Sequence, residues 1–138
     1  MNLLSMFSAC CITLFSLNFV SHANSDFLTA DQAFQLSAES INGQQAKLQW
    51  TIAPHYYLYH QQFKIISDNK AIALSLPKGE TKNDPTFGKT EVHYNQLTTQ
   101  ISVKPNSSYL VLYQGCSAEG LCYPLQRKTF NTLSLIHI

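Results

Sequence analysis

The sequence is poor in charge and shows no bias of sign. Nine Lys and Arg stand against eight Asp and Glu in 138 residues, and no acidic or basic run, repeat or low-complexity tract interrupts it. That balance removes the electrostatic ground for a nucleic-acid partner or an anionic membrane surface. Cysteine is sparse as well: four residues, with Cys10 and Cys11 inside the first apolar stretch. The first 23 residues carry no charge, and the first Lys or Arg is Lys47, so the basic start usual in an export signal is missing. Beyond Lys47, helix-period patterning is missing too.

What is present begins with an apolar run from Leu3 to Val20, followed by Ser21-His22-Ala23. That tripeptide puts small residues where a signal peptidase needs them. Residues 1–23 therefore read as a signal peptide and 24–138 as the exported domain. The competing reading is an uncleaved anchor, because about 18 apolar residues can just span a bilayer. A lipoprotein anchored through Cys10 fits less well, since too little apolar sequence precedes that residue. Export implies an oxidising compartment. Cleavage leaves Cys116 and Cys122 as the remaining cysteines, and a lone pair in an exported domain is expected to bond with itself.

The segment Leu28–Ser40 offers a short capped helical turn at Thr29 or Asp31. From Lys47 onward the pattern is strand after strand. Leu48, Trp50 and Ile52 alternate with polar residues, as a half-buried strand requires. The stretch from Tyr56 to Ile66, YYLYHQQFKII, is aromatic and β-branched without a helix signal. Ile72, Leu74 and Leu76 alternate again and are closed by Pro77 and Gly79. Residues 78–90, with Pro85 and Gly88 as breakers, read as a loop. Residues 91–104 give one long strand or two broken ones, SYLVLYQG a buried strand, and the segment after Cys122 its hairpin partner. Six to eight short strands with almost no helix predict an all-β, immunoglobulin-like antiparallel β-sandwich. Its core would rest on Trp50, Leu74 and Leu112 and is large enough to fold without a disulfide.

The chemistry is concentrated in YQGCSAEGLCYP, Tyr113 to Pro124. Five residues separate Cys116 from Cys122, and Gly120 among them suits a positive-φ turn position. A hairpin loop of that length can bring the two strand ends to bonding distance. So short a ring removes little chain entropy, about 2 kcal/mol in the loop-closure model. An inert staple, a metal clip and a redox pair are all open on this evidence. A zinc site would need two more ligands, and His55, His60 and His93 have no ligand spacing to either cysteine.

The same hairpin resembles the active-site hairpin of the amino-terminal periplasmic domain of DsbD, the bacterial thiol:disulfide interchange protein family. The resemblance extends to TADQAF (Thr29–Phe34), WTIAPHYYLYHQQFKI (Trp50–Ile65) and FGKTEV (Phe87–Val92), in the family's order. Together these blocks cover nearly the whole exported segment. The resemblance implies a thiol–disulfide exchange domain, a protein-disulfide reductase module with no organic cofactor and no metal. Electrons would come from the transmembrane domain of DsbD. They would pass to periplasmic thioredoxin-like proteins, including the disulfide isomerase and the cytochrome c maturation thioredoxin. The location implied is the periplasm, with a tether to the inner membrane where the full protein continues. Full-length family members carry a multi-spanning membrane domain and a thioredoxin-like domain, neither of which the resemblance reaches. The alternative is a non-enzymatic β-sandwich adaptor that keeps the disulfide as a staple.

Carried over by position, Cys122 is the thiol that joins the partner in a mixed disulfide, and Cys116 is the thiol that resolves it. No Lys, Arg or His lies between Tyr113 and Leu125, so no neighbour in sequence lowers either thiol. Glu119 is the only charge there and would disfavour a thiolate. The family's cap loop corresponds to Asn83–Lys89. Asp84 matches an acidic position in it, and Phe87 before Gly88 matches an aromatic. The position where the family carries its other aromatic holds Thr86, whose side chain is too small to shield the cysteines. Either Phe87 is the cap, with the loop shifted by one, or the capping is weaker here; the expectation is that Phe87 shields the pair and that Gly88 gives the loop freedom to move. Tyr57 and Tyr59 match the aromatic pair that supports the site.

Overall fold

The computed structural model describes residues 26–132; the expected signal peptide, residues 1–23, lies outside the described residues. A single helical turn, α1 (Ala30–Ala33), precedes the strands. Thr29 caps it, and Gln32 reaches back to the Thr29 N–H at 3.0 Å. This reciprocal capping box explains why so short a helix forms.

The strands are β1 (Phe34–Asn42), β2 (Gln45–Ile52), β3 (Tyr56–Tyr59), β4 (Lys64–Ser67), β5 (Lys70–Ala71) and β6 (Glu80–Asp84). They continue with β7 (Gly88–His93), β8 (Gln96–Ser102), β9 (Ser108–Tyr113), β10 (Gly115–Ser117) and β11 (Gln126–Asn131). Every pairing among them is antiparallel. One layer runs β1-β2-β8. The other is divided into β10-β3-β7-β6 and β11-β9-β4-β5. The division is local. Strand β3 reaches β4 through a 3-10 turn, His60–Gln62, and β9 reaches β10 past Gln114. The Tyr59 N–H donates to the Gln114 carbonyl at 3.0 Å across the break. The three residues of the turn account for the change of register between the β3–β10 and β4–β9 pairings.

The core lies between the layers. Phe34, Leu48, Trp50, Leu97, Leu58, Ile65, Val111 and Tyr113 are buried in it. The Trp50 ring meets Phe63 and Tyr113 edge-on, with centroids 5.0 and 5.8 Å away. The geometry is the favoured one for aromatic pairs, so this cluster adds quadrupole attraction to burial.

Strand β3 is buried along its whole length. Tyr56 and Leu58 join the main core, whereas Tyr57 and Tyr59 join a small second cluster with Val92 and Cys116. A strand with two apolar faces has no alternation to read, which is why YYLY looks uniform in sequence.

Three expectations need correction. Ile72, Leu74 and Leu76 are half-buried against the core but form no ladder, since β5 ends at Ala71. Their alternation reports burial alone. The Thr99 hydroxyl, donating to the Ser75 carbonyl at 2.7 Å, supplies one of the bonds a neighbouring strand would give. Leu74 is accordingly at the margin of the core, not a centre of it. Residues 78–90 are not a loop but contain most of a hairpin, β6–β7, with its breakers Pro85 and Gly88 confined to the tip. The aromatic stretch Tyr56–Ile66, finally, contains the 3-10 turn.

Candidate functional site: a disulfide backed by a tyrosine–carboxylate cluster

Strand β10 sets Cys116 in place. It pairs with β3 so that Cys116 lies opposite Tyr57 and Gly115 opposite Leu58. A side chain at Gly115 has no room, because a Cβ there would sit 2.2 Å from the Tyr57 carbonyl oxygen and 2.8 Å from Phe34 Cζ. Beyond Ser117 the chain turns at once. The Ser117 N–H donates to the Leu121 carbonyl at 2.7 Å, and the Glu119 N–H to Ser117 Oγ at 3.0 Å. Gly120 has φ 105°, the conformation that a turn of this tightness asks of glycine. The Tyr123 N–H then returns to the Gly115 carbonyl at 3.0 Å. Backbone bonds on both sides thus hold Cys116 and Cys122 directly opposite each other, with Cα atoms 4.0 Å apart and the sulfurs bonded.

The two sulfurs differ in access. Cys116 is 1% exposed, whereas Cys122 lies at the surface. Leu121 and Leu125 beside it are exposed apolar side chains. Tyr123 anchors this edge: its hydroxyl donates to the Leu28 carbonyl, and its ring meets Phe34 edge-on at 5.5 Å.

Behind Cys116 stands a polar cluster. Its sulfur is 2.9 Å from the Tyr59 hydroxyl oxygen. Tyr59 donates to Asp84 Oδ2 at 2.9 Å, and Tyr57 donates to the same oxygen at 2.6 Å. The other carboxylate oxygen accepts the N–H groups of Thr86 and Phe87 at 2.8 and 3.0 Å. Asp84 is only 5% exposed. Burial pushes its carboxyl up, but the donors from Tyr57, the Phe87 and Thr86 N–H groups and Tyr59 together outweigh it, so Asp84 is held below the ordinary carboxylate range. The tyrosines move the other way. Burial, then the bond to Asp84, raises Tyr57, and Tyr59 is pushed up to about 12, mainly by burial. Both phenols are therefore firm proton donors to a charged carboxylate.

Tyr57, Tyr59, Asp84, Cys116 and Cys122, all singled out from sequence, are thus brought together. The cap loop is the tip of the β6–β7 hairpin, and Thr86 and Phe87 both stand in it. Phe87, 47% exposed, packs edge-on against Tyr59 with centroids 4.7 Å apart. Thr86 Oγ1 lies 4.0 Å from Cys122 Sγ. Gly88 has φ 68° and nothing within 4 Å of its Cβ direction, so the tip has the backbone conformation and open space for a hinge.

In sequence, His60 and His93 have no ligand spacing to the cysteines. They meet each other instead, Nδ1 to Nε2 at 2.8 Å, with Glu91 3.5 Å from His60. Burial first, and then His60, lowers His93. No signal in the sequence pairs two histidines 33 residues apart; only the β3–β7 register does so, by setting His93 opposite Leu58. Among the described residues no group of three His, Cys, Asp or Glu side chains is arranged to hold a metal, and no helix is long and apolar enough to cross a membrane.

Comparison with known proteins gives one answer. The family described as thiol:disulfide interchange protein DsbD, N-terminal, matches residues 24–134. The thiol:disulfide interchange protein DsbD of Tatumella citrea is 38% identical over 122 residues, which is 82% of this chain and 21% of that protein. The DsbD of Escherichia coli (strain K12) is 35% identical over 124 residues, 87% of this chain and 22% of that protein. The chain thus spans about a fifth of the length of these curated relatives. Among solved structures, the reduced DsbD N-terminal domain of Neisseria meningitidis superposes with a TM-score of 0.67 at 28% identity, over 76% of this chain and 88% of that one. The Neisseria meningitidis complex of DsbD and PilB N-terminal domains gives 0.68 at 23% identity, over 82% of this chain and 92% of that one, and supports the fold alone. That fold is the immunoglobulin-like antiparallel β-sandwich expected from the strand pattern.

Proposed function

The chain belongs to the family of DsbD N-terminal domains, and from that premise we propose that it relays electrons by thiol–disulfide exchange through Cys116 and Cys122. The observation that carries this reading is the asymmetry of the pair: an exposed sulfur bonded to a buried one that rests on Tyr59 and Asp84.

In the reduced domain Cys122 gives up its proton and its thiolate attacks a disulfide sulfur of the acceptor, whose other sulfur leaves as a thiolate and takes up a proton. Cys116, deprotonated, then attacks Cys122 in the mixed disulfide. The Cys116–Cys122 bond forms, the bond to the acceptor breaks, and the acceptor's second thiolate leaves and takes a proton. Two electrons and two protons have moved from this domain to the acceptor. Only an exposed sulfur can take the first role and only an adjacent one the second.

The cluster behind Cys116 controls its proton. A phenol has one hydrogen, and the Asp84 carboxylate claims that of Tyr59. Tyr59 therefore offers Cys116 a lone pair, and the reduced Cys116 donates its S–H to it. The bond favours the thiol over the thiolate, so Cys116 stays protonated until the mixed disulfide is in place. A relay in an oxidising compartment gains from such restraint.

The acceptors are thioredoxin-like periplasmic proteins, among them a disulfide isomerase and a cytochrome c maturation thioredoxin. The donor is the transmembrane domain of a full-length DsbD. The domain works in the periplasm, exported by residues 1–23. Cys122, flanked by exposed Leu121 and Leu125, supplies the apolar contact that such acceptors would meet.

Single-cysteine trapping tests the assignment. Cys116→Ala, mixed with an oxidised thioredoxin-like acceptor, should accumulate a mixed disulfide through Cys122 on non-reducing gels. Cys122→Ala should trap little, because its remaining sulfur is buried. Equal trapping by both variants overturns the roles, and trapping by neither returns the bridge to a structural staple.

A further inference from the structure

We propose that Thr86 is a catalytic hydroxyl that donates a hydrogen bond to the Cys122 thiolate; the inference rests on the relay reading and names the group that activates its nucleophile. Thr86 stands in the turn between β6 and β7. Its position is fixed, because its own N–H and that of Phe87 both close onto Asp84 Oδ1, at 2.8 and 3.0 Å. From that clamped backbone, Thr86 Oγ1 lies 4.0 Å from Cys122 Sγ. The Tyr59 hydroxyl is equally far from that sulfur, at 4.0 Å, but donates its proton to Asp84. The Thr86 proton is under a weaker claim, because its acceptor in the disulfide state is the neutral Tyr59 phenol oxygen and not a carboxylate. Among the described residues its hydroxyl meets the Tyr59 oxygen and the Cys122 sulfur.

The oxidation state decides what this contact does. In the disulfide, Cys122 Sγ is neutral and a weak acceptor, so 4.0 Å is an outer-limit contact. Reduction breaks the bond to Cys116 and turns Cys122, when ionised, into a full anion beside the same hydroxyl. A charge-assisted bond is roughly twice as strong as a neutral one. The contact therefore strengthens in the state that must attack. No other local feature helps: Tyr113–Leu125 holds no Lys, Arg or His. The groups facing Cys122 are Cys116, Tyr59 of β3 and Thr86 of the turn. Among the formal charges on these elements, the Asp84 carboxylate stands one bond behind Tyr59, Glu119 is exposed in the connecting turn, and the Lys82 ammonium of β6 lies over the Tyr57 ring, 5.0 Å from its centroid. The two carboxylates oppose a thiolate. Thr86 offsets them with a neutral hydroxyl.

Thr86→Val keeps the shape and removes the donor, and Thr86→Ser keeps the donor. The test follows iodoacetamide alkylation of the reduced domain against pH, with mass spectrometry to score Cys122 apart from buried Cys116. Thr86→Val should slow alkylation at neutral pH by about three- to tenfold and move the midpoint of the profile up by about half to one unit. Thr86→Ser should stay within about twofold of the parent. A valine profile that superimposes on the parent, or a serine profile that shifts with valine, overturns the proposal. Alkylation needs no acceptor, so it stands apart from the trapping experiment: exchange with acceptors together with an unmoved valine profile would defeat Thr86 alone. Failure to trap, with the valine shift present, would defeat the relay and leave Thr86 as a modulator of a reactive thiol.

Discussion

Asp84 accepts four hydrogen bonds behind the disulfide. Its carboxylate ties the two phenols of β3 to the tip of the hairpin. Asn in its place offers one acceptor oxygen to donors on both sides and removes the charge. Asp84→Asn should therefore cost about 1–3 kcal/mol at neutral pH. The sign with pH follows from the lowered carboxyl. Because the folded-state value lies below the unfolded one, the carboxylate contributes stability that is complete above about pH 4 and is lost as acid protonates the folded protein. Urea unfolding of parent and variant should show a clear gap at pH 7 that narrows as the pH falls below the ordinary carboxylate range, about pH 4. A gap that stays constant would mean that shape, not charge, matters at this position. Identity at this scale was largely legible: Cys116, Cys122, Tyr57, Tyr59 and Asp84 were marked by resemblance. Thr86 is not marked, because the size of a threonine in sequence says nothing of what its hydroxyl faces. A hydroxyl's worth depends on which atom it faces, and only the folded turn supplies that.

At the scale of elements, β10 and the β6–β7 hairpin position the chemistry from opposite sides. Strand β10 can approach β3 closely because Gly115 lacks a side chain. Gly115→Ala would drive a methyl into the Tyr57 carbonyl and the Phe34 ring, and overpacking of this kind costs about 1–3 kcal/mol, occasionally more. Gly43, with nothing within 4 Å of its Cβ direction, is the matched control. Gly43→Ala should leave stability within about 0.5 kcal/mol of the parent. Denaturant titration of the pair checks the expectation, and equal midpoints would show that β10 has room to retreat. The hairpin itself was not legible, because its strands are polar on most positions and its breakers dominated the pattern. Period-2 signals come from a buried face, and β6 buries chiefly Asp84. The opposite error occurred at Ile72–Leu76, where alternation was real but the backbone found no ladder.

At the scale of the whole molecule, the class was legible because a sandwich core writes its periodicity into every strand that faces it, as Leu48, Trp50 and Ile52 do. What stayed hidden was the second, smaller cluster around Tyr57, Tyr59 and Cys116, because a strand buried on both faces has no period. That cluster separates the fold from the chemistry. The main core around Trp50 does not include the disulfide, so the bridge can open without dismantling the sandwich. The central claim is that this bridge is a working couple. An equilibrium titration of the purified domain against graded glutathione and dithiothreitol buffers, read by thiol content, tests it most directly. A relay predicts one reversible two-electron transition within the oxidoreductase range, about −120 to −270 mV. A bridge that resists reduction to below about −300 mV, as structural disulfides do, would contradict it.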